Sequence, residues 1–583
     1  MRSIPSICTN AKIDSSRLYA RARRMLSLAA SCAVLAASSA FAQIGTGDTE
    51  NISDIRKEMK AMQEQYEVRI QAMESKMKAM ETRAMFSAPM TEAGVGTTDG
   101  KGVLDKTPAL DLPPLESFTR NFKFSAYVRA GVGFNGNGRG QVSTFVIPEN
   151  YGGRMRLGNE PDTYMELKFI QNHLLGDDPD KMDVKFQVTP SIVNNTDKDS
   201  AVYTGNDGFD IGLREVFMEF KNVFKSAPDV TVWGGQRFYD RYDIHGNDYF
   251  FLDTSGYGLG AYNIDLGFSK LQVAYLGGIK DGVGDVHNEP DGLFQRYVAD
   301  DGGPFYKHTL DVRLGDVDFL GGKLKFVFLA NYQKGGNFTI TDRADDTVDG
   351  NAHLEDAWGL GGGAIYEYKF GAGSLLQFAA IYGYGLTNIG AGVDLDKIGG
   401  AYASALAQAG LPFGTFADID PYSDSQRIRA NVHYVWNPTD NFALEAWGVY
   451  QYDDQGYTGF SGSNLTGDLI TTSGETNTYG VGIRPVFWIA DNLAIQGQAG
   501  YNYVDNVRSG SNVGNAGGFG IFTIAPTIKP KDPKNGGFFS RPELRVYATY
   551  AIWDEELKGS IGGSSYADAT EGWTFGTQVE VWW

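Results

Sequence analysis

The residue types that could do chemistry in this chain are spaced for binding rather than for catalysis. No G-x-S-x-G nucleophile motif occurs, and the six histidines show no metal-ligating spacing. The stretch Gly131–Gly136 fits G-x-G-x-x-G, but that motif needs a following helix, and none is predicted there. We therefore predict no enzyme activity, no cofactor and no metal site. What recurs is a mixture of aromatic rings, which stack on flat surfaces, and of Arg, Asp and Glu, which hydrogen-bond to polar groups.

These side chains fall on one face of predicted β-strands. Residues 122–134 alternate between apolar and more polar positions, and Tyr127 and Arg129 lie on the more polar face. Residues 573–583 repeat the pattern, with Trp582 on the more polar face. A period of two indicates a strand with one apolar face. Similar segments occur at Met155–Leu157, Met165–Phe169, Leu310–Leu314 and Leu544–Ile552.

Composition points to a β-rich protein. The 583 residues include 74 glycines, 31 tyrosines and 35 phenylalanines, which suits strands and turns better than helices. Hydrophobic residues make up 42%, which disfavours disorder. The net charge of −20 disfavours a nucleic-acid partner. Beyond the N-terminal leader, no segment has the ~18 uncharged apolar residues of a membrane helix.

Residues 1–42 have the features of a signal peptide. Several arginines precede an apolar run at 25–39, and positions 40–42 form an A-x-A cleavage site. The apolar run is too short for a membrane anchor. Cys8 and Cys32, the two cysteines of the chain, lie within this segment, so we predict a mature protein without a disulfide.

Residues 43–85 are predicted to form a coiled-coil stalk. Apolar residues recur at steps of three and four from Ile52 to Ala84, and charged or amide residues fill most other positions. Such a stripe needs partners, so we interpret the helix as an oligomerisation stalk rather than as one amphipathic helix lying on the rest of the protein. Residues 86–118 are rich in Gly, Thr and Pro and are predicted to be a linker.

Residues 119–583 are predicted to form an all-β fold, a large antiparallel transmembrane β-barrel. A soluble sandwich would turn its apolar faces to a shared core, whereas a membrane barrel turns them to lipid and keeps a polar lumen. Export, the charged groups on the second face and the terminal Trp582 and Trp583 favour the barrel. Its last strand must pair with its first, because lipid offers an edge no hydrogen-bond partner. At roughly 25 residues per strand and loop, about 16 to 20 strands result, wide enough for an aqueous channel.

Several blocks of this region resemble maltoporin and its relatives, the sugar-specific trimeric porins. The match extends from about Phe122 to Trp583, keeps the same order and is loosest over Ser269–Gln426. The N-terminal coiled coil is not a maltoporin feature and is similar to the extension of the related sucrose porin. The matching blocks are Tyr127–Gly131, Arg156–Glu160, Thr163–Lys168, Trp233–Asp248, Asn263–Asp265, Val481–Pro485, Ser540–Pro542, Tyr547–Tyr550, Trp553–Glu555 and Trp573–Trp583.

The resemblance implies about eighteen strands, three barrels per assembly, and a path of aromatic rings with charged residues across the constriction. A pyranose ring has apolar faces on which aromatic side chains can stack, and hydroxyls that exchange hydrogen bonds with Arg, Asp and Glu. The residues that correspond to the aromatic path are Tyr127, Tyr164, Phe250, Phe539 and Trp582. Those that correspond to the polar track are Arg129, Arg156, Glu166, Arg214, Arg241, Asp243 and Asp248.

The chain departs from the family pattern in several places. Phe250 stands where the family has Tyr, and Phe539 where it has Trp, so a hydroxyl is lost and one ring is smaller. The Trp that a neighbouring subunit lends in maltoporin has no clear counterpart around 203–209. Arg214 shares the alternation parity of the apolar Val216, which either a β-bulge or a misalignment would explain.

The resemblance implies a substrate-selective outer-membrane channel for facilitated diffusion of oligosaccharides of the maltodextrin type. Two alternatives stay open: a sucrose or other short-sugar porin, which the coiled coil suggests, and a general porin whose stalk tethers the membrane to the cell wall. The expected location is the bacterial outer membrane, with the coiled coil in the periplasm. The expected partners are two further copies in a homotrimer, the oligosaccharide, outer-membrane lipid and lipopolysaccharide, and peptidoglycan at the stalk.

The stalk prediction can be tested by deletion. Removal of residues 43–118 should leave a trimer, because contacts between barrels normally suffice to hold such an assembly together. Native gels of the purified protein measure the oligomer size. Monomers after the deletion would show that the stalk is needed for assembly.

Overall fold

The computed structural model describes most of residues 121–583, which lie within the unit Ala109–Trp583 of the chain. The predicted signal peptide (1–42), coiled-coil stalk (43–85) and linker (86–118) lie outside the described residues. The gaps within the described part are 142, 149–151, 161, 177, 179, 195–209, 279–294, 300–304, 343–347, 372, 388–400, 403, 407, 412–414, 457–458, 464–468, 473, 509–511 and 533–536.

The described part of the chain consists almost entirely of β-strands, as the alternation predicted. In chain order they are β1 (Phe122–Asn135), β2 (Thr163–Gln171), β3 (Asp183–Asn194), β4 (Asp210–Lys221), β5 (Thr231–Arg237), β6 (Tyr242–Ile244), β7 (Tyr249–Leu252), β8 (Gly256–Asp265), β9 (Lys270–Gly278), β10 (Gln295–Ala299), β11 (Lys307–Phe319), β12 (Gly322–Gln333), β13 (Gly336–Asp342), β14 (Val348–Leu354), β15 (Ala357–Phe370), β16 (Ser374–Gly385), β17 (Ala417–Ile419), β18 (Gln426–Thr439), β19 (Phe442–Asp454), β20 (Gly459–Ser463), β21 (Leu469–Thr472), β22 (Glu475–Ala490), β23 (Leu493–Val504), β24 (Gly517–Ile528), β25 (Glu543–Trp553) and β26 (Glu571–Trp582).

Eighteen of these strands form one closed antiparallel barrel, which confirms the predicted fold class. They are β1 to β5, β8, β9, β11, β12, β15, β16, β18, β19 and β22 to β26. Each pairs with its neighbour along the chain, and β1 closes the sheet against β26, with Tyr127 opposite Trp582 and Asn135 opposite Thr574. Closure leaves the barrel no unpaired edge, which is the condition for a sheet to exist in lipid.

The two faces of the barrel wall differ as expected for a membrane barrel. On β26, Phe575 and Val579 are 44% and 40% exposed on the outer face, whereas Gln578 and Glu580 on the inner face are each 1% exposed. Bands of aromatic rings lie on the outer surface, for example Tyr434 and Trp436 with 6.4 Å between ring centroids. Such aromatic girdles are typical of barrels that sit between two membrane interfaces.

The connections differ between the two ends of the barrel. At the short-turn end, where β1 starts and β26 ends, tight turns occur at 320–321, 440–441 and 491–492. At the opposite, long-loop end, the connections are much longer, for example 136–162 between β1 and β2. Three connections at the short-turn end are longer, 172–182, 222–230 and 529–542, and the longest of them is the fourteen-residue connection 529–542 between β24 and β25.

A small second core lies in the long connections. The strands β10, β13, β14 and β17 form a four-stranded sheet, and helical residues occur at 401–402, 404–406 and 408–409. Buried Phe338, Tyr402 and Leu406 belong to one apolar cluster there. No helix among the described residues is long and apolar enough to cross a membrane.

The first long connection folds back into the barrel. Met155 is fully buried, the Leu157 N–H donates to the Gln498 side chain of β23 (3.0 Å), and the Thr549 hydroxyl of β25 donates to the Gly158 carbonyl (2.9 Å). The interpretation of Met155–Leu157 as a strand is therefore wrong. Its apolar residues are buried against the inner wall of the barrel rather than paired in the sheet.

A second connection, 238–255, crosses the lumen as a hairpin that contains β6 and β7, and we call it the constriction hairpin. At its base, Arg313 of β11 donates to the Asp240 carbonyl (2.6 Å). At its tip, the Gly246 N–H donates to the Glu445 carboxylate of β19 (2.9 Å). Tyr249 donates to Gln451 of the same strand (2.8 Å). Bonds to two separate parts of the wall, β11 and β19, hold the hairpin inside the barrel.

Gly246, at the tip of the constriction hairpin, packs so closely against Trp447 and Glu445 that there is no room for a side chain. We predict that Gly246→Ala displaces the tip, because the new carbon would lie 2.4 Å from Cζ3 of Trp447 and 2.5 Å from Oε2 of Glu445. Strain of this kind costs about 1–3 kcal/mol. The single-channel ion conductance should change and the melting temperature should fall. Gly234→Ala is the control, since no atom lies within 4 Å of its added carbon. Equal conductance in both variants would contradict this account of the tip.

Candidate functional site

Three aromatic side chains form a row on the inner wall where the barrel closes. The rings of Tyr164 on β2 and Tyr127 on β1 have centroids 6.1 Å apart. The rings of Tyr127 and Trp582 on β26 are 6.2 Å apart and nearly parallel, at 20°. All three side chains are half-buried, so each keeps part of its surface open to the lumen. We call these residues the aromatic row.

Phe539 joins the row through a histidine. It lies on the connection 529–542, and its ring centroid is 5.7 Å from that of His245 at the tip of the constriction hairpin. The His245 ring is in turn 5.7 Å from Trp582, edge-on. Segments that enter from opposite ends of the barrel therefore meet beside Trp582.

Phe250 occupies a different position. It lies on the constriction hairpin, where the Arg241 guanidinium is 5.0 Å from its ring and 3.6 Å from the ring of Phe238. Its backbone carbonyl accepts from Arg429 (3.1 Å). Within the described part of the chain, Phe250 makes no ring contact with the aromatic row. The structure thus groups Phe250 with Arg241 rather than with the other aromatic candidates.

The polar candidates Arg129 and Arg156 connect the row to buried carboxylates. Arg129 pairs with Asp162 (2.7 Å) and Glu160 (3.3 Å). Arg156 pairs with Glu160 (2.9 Å) and donates to the Tyr127 hydroxyl (2.6 Å). Burial alone would raise the pKa of Glu160, but the guanidiniums of Arg129 and Arg156 outweigh it and hold that pKa below its usual value. The carboxylate is therefore charged near neutral pH.

Glu166 and Arg214 contact the other end of the row. The Tyr164 hydroxyl donates to Glu166 (2.6 Å), and the Arg214 guanidinium lies 5.9 Å from the Tyr164 ring. The pairing of β3 with β4 shifts between Thr189 and Pro190, which leaves Arg214 as an extra residue beside Glu215. A bulge of this kind resets the alternation. It accounts for the unexpected parity of Arg214 in the sequence.

The remaining polar candidates, Arg241, Asp243 and Asp248, belong to the constriction hairpin. Asp243 is exposed in the lumen, and Asp248 pairs with Arg154 (3.5 Å). Burial, together with the nearby Glu160, raises the pKa of Asp248 to about 6. The backbone of Asp248 is left-handed (φ 52°), a conformation that Asp tolerates better than most residues.

His245 was not among the candidates from the sequence, yet it lies at the centre of the site. Its Nδ1 is 3.0 Å from Arg156 and its Nε2 is 3.3 Å from Arg541. Burial and the two guanidiniums hold the pKa of His245 well below its usual value, so the ring is neutral. A neutral imidazole accepts at one nitrogen only, so one of the two arginines donates to it at a time.

A cluster of buried charges beneath Trp582 was also missed. Glu580 pairs with Arg541 (2.9 Å), Arg545 (3.2 Å) and Arg156 (3.3 Å). Glu543 pairs with Arg541 and Arg545, each at 2.8 Å. A signal for Glu580 existed, because it shares the inward parity of Trp582, and Arg541 lies within a matched block. Among the described residues, no group of three His, Cys, Asp or Glu could hold a metal ion.

The closed barrel, its inward-folded hairpin and its charged, aromatic lumen define the class of protein as a porin. The family model described as LamB porin matches residues 122–583, and the chain therefore belongs to the LamB porin family. This membership confirms the resemblance to the maltoporin family. The chain is an outer-membrane channel.

Several solved porin structures are similar to this chain at low identity. The outer membrane channel DcaP of Acinetobacter baumannii is 10% identical, covers 79% of this chain and 97% of its own, and has a TM-score of 0.36. OmpF of Salmonella typhi, in complex with daunomycin, is 11% identical with the same coverages and a TM-score of 0.36. OccK9 of Pseudomonas aeruginosa is 9% identical, covers 80% and 99%, and has a TM-score of 0.38. TM-scores this low carry no functional argument.

The shared carboxylate of Glu580 generates a prediction. Glu580→Gln removes the negative charge that faces Arg156, Arg541 and Arg545, and leaves like charges in a buried place. We expect a loss of about 3 kcal/mol in stability, measured as a lower melting temperature or urea midpoint of the purified protein. Glu571→Gln on the same strand is the control, because its exposed carboxylate accepts from the Tyr550 hydroxyl (2.5 Å) at the surface. Equal effects of the two changes would contradict the assigned role of Glu580.

Proposed function

We propose that this porin is a substrate-selective channel for facilitated diffusion of oligosaccharides, of the maltodextrin type. The observation that carries the proposal is the aromatic row on the inner wall, bordered by Arg and Glu side chains. Aromatic faces bind the apolar faces of sugar rings, and the neighbouring polar groups take over hydrogen bonds that sugar hydroxyls lose when water leaves. The likeness to the maltoporin family supports the same substrate class.

The spacing of the rings supports a path of several weak sites rather than one tight site. Successive centroids lie 6.1 and 6.2 Å apart, from Tyr164 through Tyr127 to Trp582. A sugar unit that leaves one ring therefore meets the next within a short displacement. Conduction requires binding that is favourable enough to enter and weak enough to leave, which a series of stacking surfaces provides. A linear oligosaccharide suits such a path.

The state of the charged groups supports binding of neutral polar molecules. Arg129 and Arg156 are already paired with carboxylates, so the lining beside the row has no large uncompensated charge. The ion pairs also keep the side chains in place, which lowers the entropic cost of each contact with the sugar. Arg214, Arg241, Asp243 and Asp248 extend this polar lining along the path.

The proposal includes a homotrimer in the outer membrane, in contact with lipid and lipopolysaccharide. The coiled coil predicted at 43–85 would then lie in the periplasm, where it would contact peptidoglycan. Family resemblance supports the trimer, and the narrow apolar stripe of the stalk supports association between copies. Sedimentation of the stalk peptide with purified sacculi tests the peptidoglycan contact, and a stalk that stays in the supernatant contradicts it.

Conductance in a planar bilayer tests the substrate. Maltohexaose, sucrose and an amino acid are titrated against the open channel, and preferential block by maltohexaose is expected. Equal or tighter block by sucrose would move the assignment to a short-sugar porin. No block by any sugar would contradict oligosaccharide selectivity and leave a general porin.

Removal of single rings tests the aromatic row. Tyr127→Ala, Tyr164→Ala and Trp582→Ala should each weaken maltohexaose block about fivefold to tenfold, because a stacking surface worth about 1 kcal/mol or slightly more is lost. Ion conductance should stay similar or rise slightly. Tyr257→Ala is the control, since that ring is 59% exposed on the outer face. Unchanged sugar affinity in all three variants would overturn the role of the row.

A further inference from the structure

Lys529 begins the connection 529–542 and is completely buried. Its ammonium group donates to the carbonyl of Phe538 (2.9 Å), to the carbonyl of Ser540 (2.6 Å) and to Oε1 of Glu543 (2.6 Å). An ammonium has three N–H donors. All three are therefore used, and two of them hold the backbone of the segment 537–541, which we call the inward segment.

The inward segment is held from its other side by apolar packing. Phe538 is 2% exposed and lies in one cluster with Val435 and Trp488 of the barrel wall. The Phe538 N–H donates to the Asn437 side chain (2.9 Å). The Trp488 ring N–H donates to the Lys529 carbonyl (3.3 Å), which ties the lysine itself to the same wall. Packing thus sets where Phe538 lies, and Lys529 sets how the backbone turns after it.

The residues that follow Phe538 contact side chains of the candidate site. Phe539 contacts the ring of His245, with centroids 5.7 Å apart. The Arg541 guanidinium lies 3.8 Å from the centroid of the Trp582 ring and covers one of its faces. Arg541 also donates to the Ser540 carbonyl (3.0 Å), one of the two that Lys529 holds. The contact that Arg541 makes with the Trp582 ring therefore depends on a segment whose backbone Lys529 holds.

We propose that Lys529 is a positioning residue of the pore: through its three hydrogen bonds it fixes the inward segment that presents Phe539 to His245 and Arg541 to Trp582. This inference rests on the proposed sugar path for its functional readout. Lys529 itself has no direct contact with a passing solute, since its side chain is fully buried. Its effect on affinity must therefore be transmitted through Phe539 and Arg541.

The test compares two lysines of the same connection. Lys529→Met keeps most of the length of the unbranched side chain and removes the three donors. Lys531→Met makes the same change at a half-buried lysine whose side chain forms no hydrogen bond or ion pair with the described residues. Maltohexaose block should weaken about tenfold in K529M, which corresponds to about 1.4 kcal/mol, and less than about twofold in K531M. Block that is unchanged in K529M, or weakened equally in both variants, overturns the proposal.

A double-mutant cycle separates positioning from general destabilisation. If Lys529 acts by positioning Phe539, then K529M should weaken the block by maltohexaose far less in a Phe539→Ala background than in the wild-type protein. Additive effects of the two changes would overturn this route of action. The melting temperatures of all four proteins are measured alongside, because a loss of stability alone does not produce non-additive sugar affinity.

A substrate-free measurement keeps this inference distinct from the proposed function. Phe539→Cys gives a single thiol, since Cys8 and Cys32 lie in the predicted signal peptide. A charged methanethiosulfonate reagent added to the open channel should modify the introduced thiol about tenfold faster when K529M is also present, because the segment has lost its anchor. If wild-type channels are not blocked by maltohexaose, the proposed sugar path is wrong. The rate of thiol modification at position 539 still tests the role of Lys529 in that case. Equal rates with and without K529M overturn it.

If K529M does not insert into the membrane, a second substitution at the same position still tests the proposal. Lys529→Gln retains an N–H₂ donor group and is expected to recover part of the lost sugar affinity and part of the thiol protection. If K529M fails to fold, the same comparisons are made between K529Q and Lys531→Gln. An effect of K529Q equal to that of the control would then overturn the proposal.

Discussion

Closure of the barrel is the constraint on which the rest of this structure depends. Backbone groups in lipid find no partner in the solvent, so β1 must pair with β26. That pairing places Tyr127 opposite Trp582, although the two residues lie at opposite ends of the barrel sequence. With Tyr164 on the next strand, the seam of the barrel becomes the aromatic row. The feature that permits the fold to exist in a membrane thus also assembles the proposed sugar path.

The second constraint is the balance of charge inside the barrel. A buried cation without a paired carboxylate is costly, and a buried ion pair is costly to break. Glu160, Glu543 and Glu580 provide these carboxylates for the arginines beneath the row. The same ion pairs lock the side chains that border the aromatic rings. Stability of the wall and order of the binding surface therefore have one physical source.

Part of the fold could be predicted from residue patterns. Alternation placed β1 and β26 correctly, and the need for closure required them to pair. Alternation gave a wrong prediction at Met155–Leu157, which is not a strand. A short apolar run has the same sequence pattern whether it pairs in a sheet or packs against the inner face of one. The pattern around Arg214 showed a parity conflict, and the register shift beside it is the physical cause.

The candidate site divides in the same way. The sequence by itself determined which strands carry inward-facing aromatic and charged residues, because a period of two assigns each side chain to a face. Only the tertiary structure decided that His245 from one end of the barrel and Arg541 from the other meet beside Trp582, and that Phe250 lies with Arg241 instead of the row. Contacts between inward-folded connections depend on how each connection turns and what it packs against, and local periodicity contains no record of either.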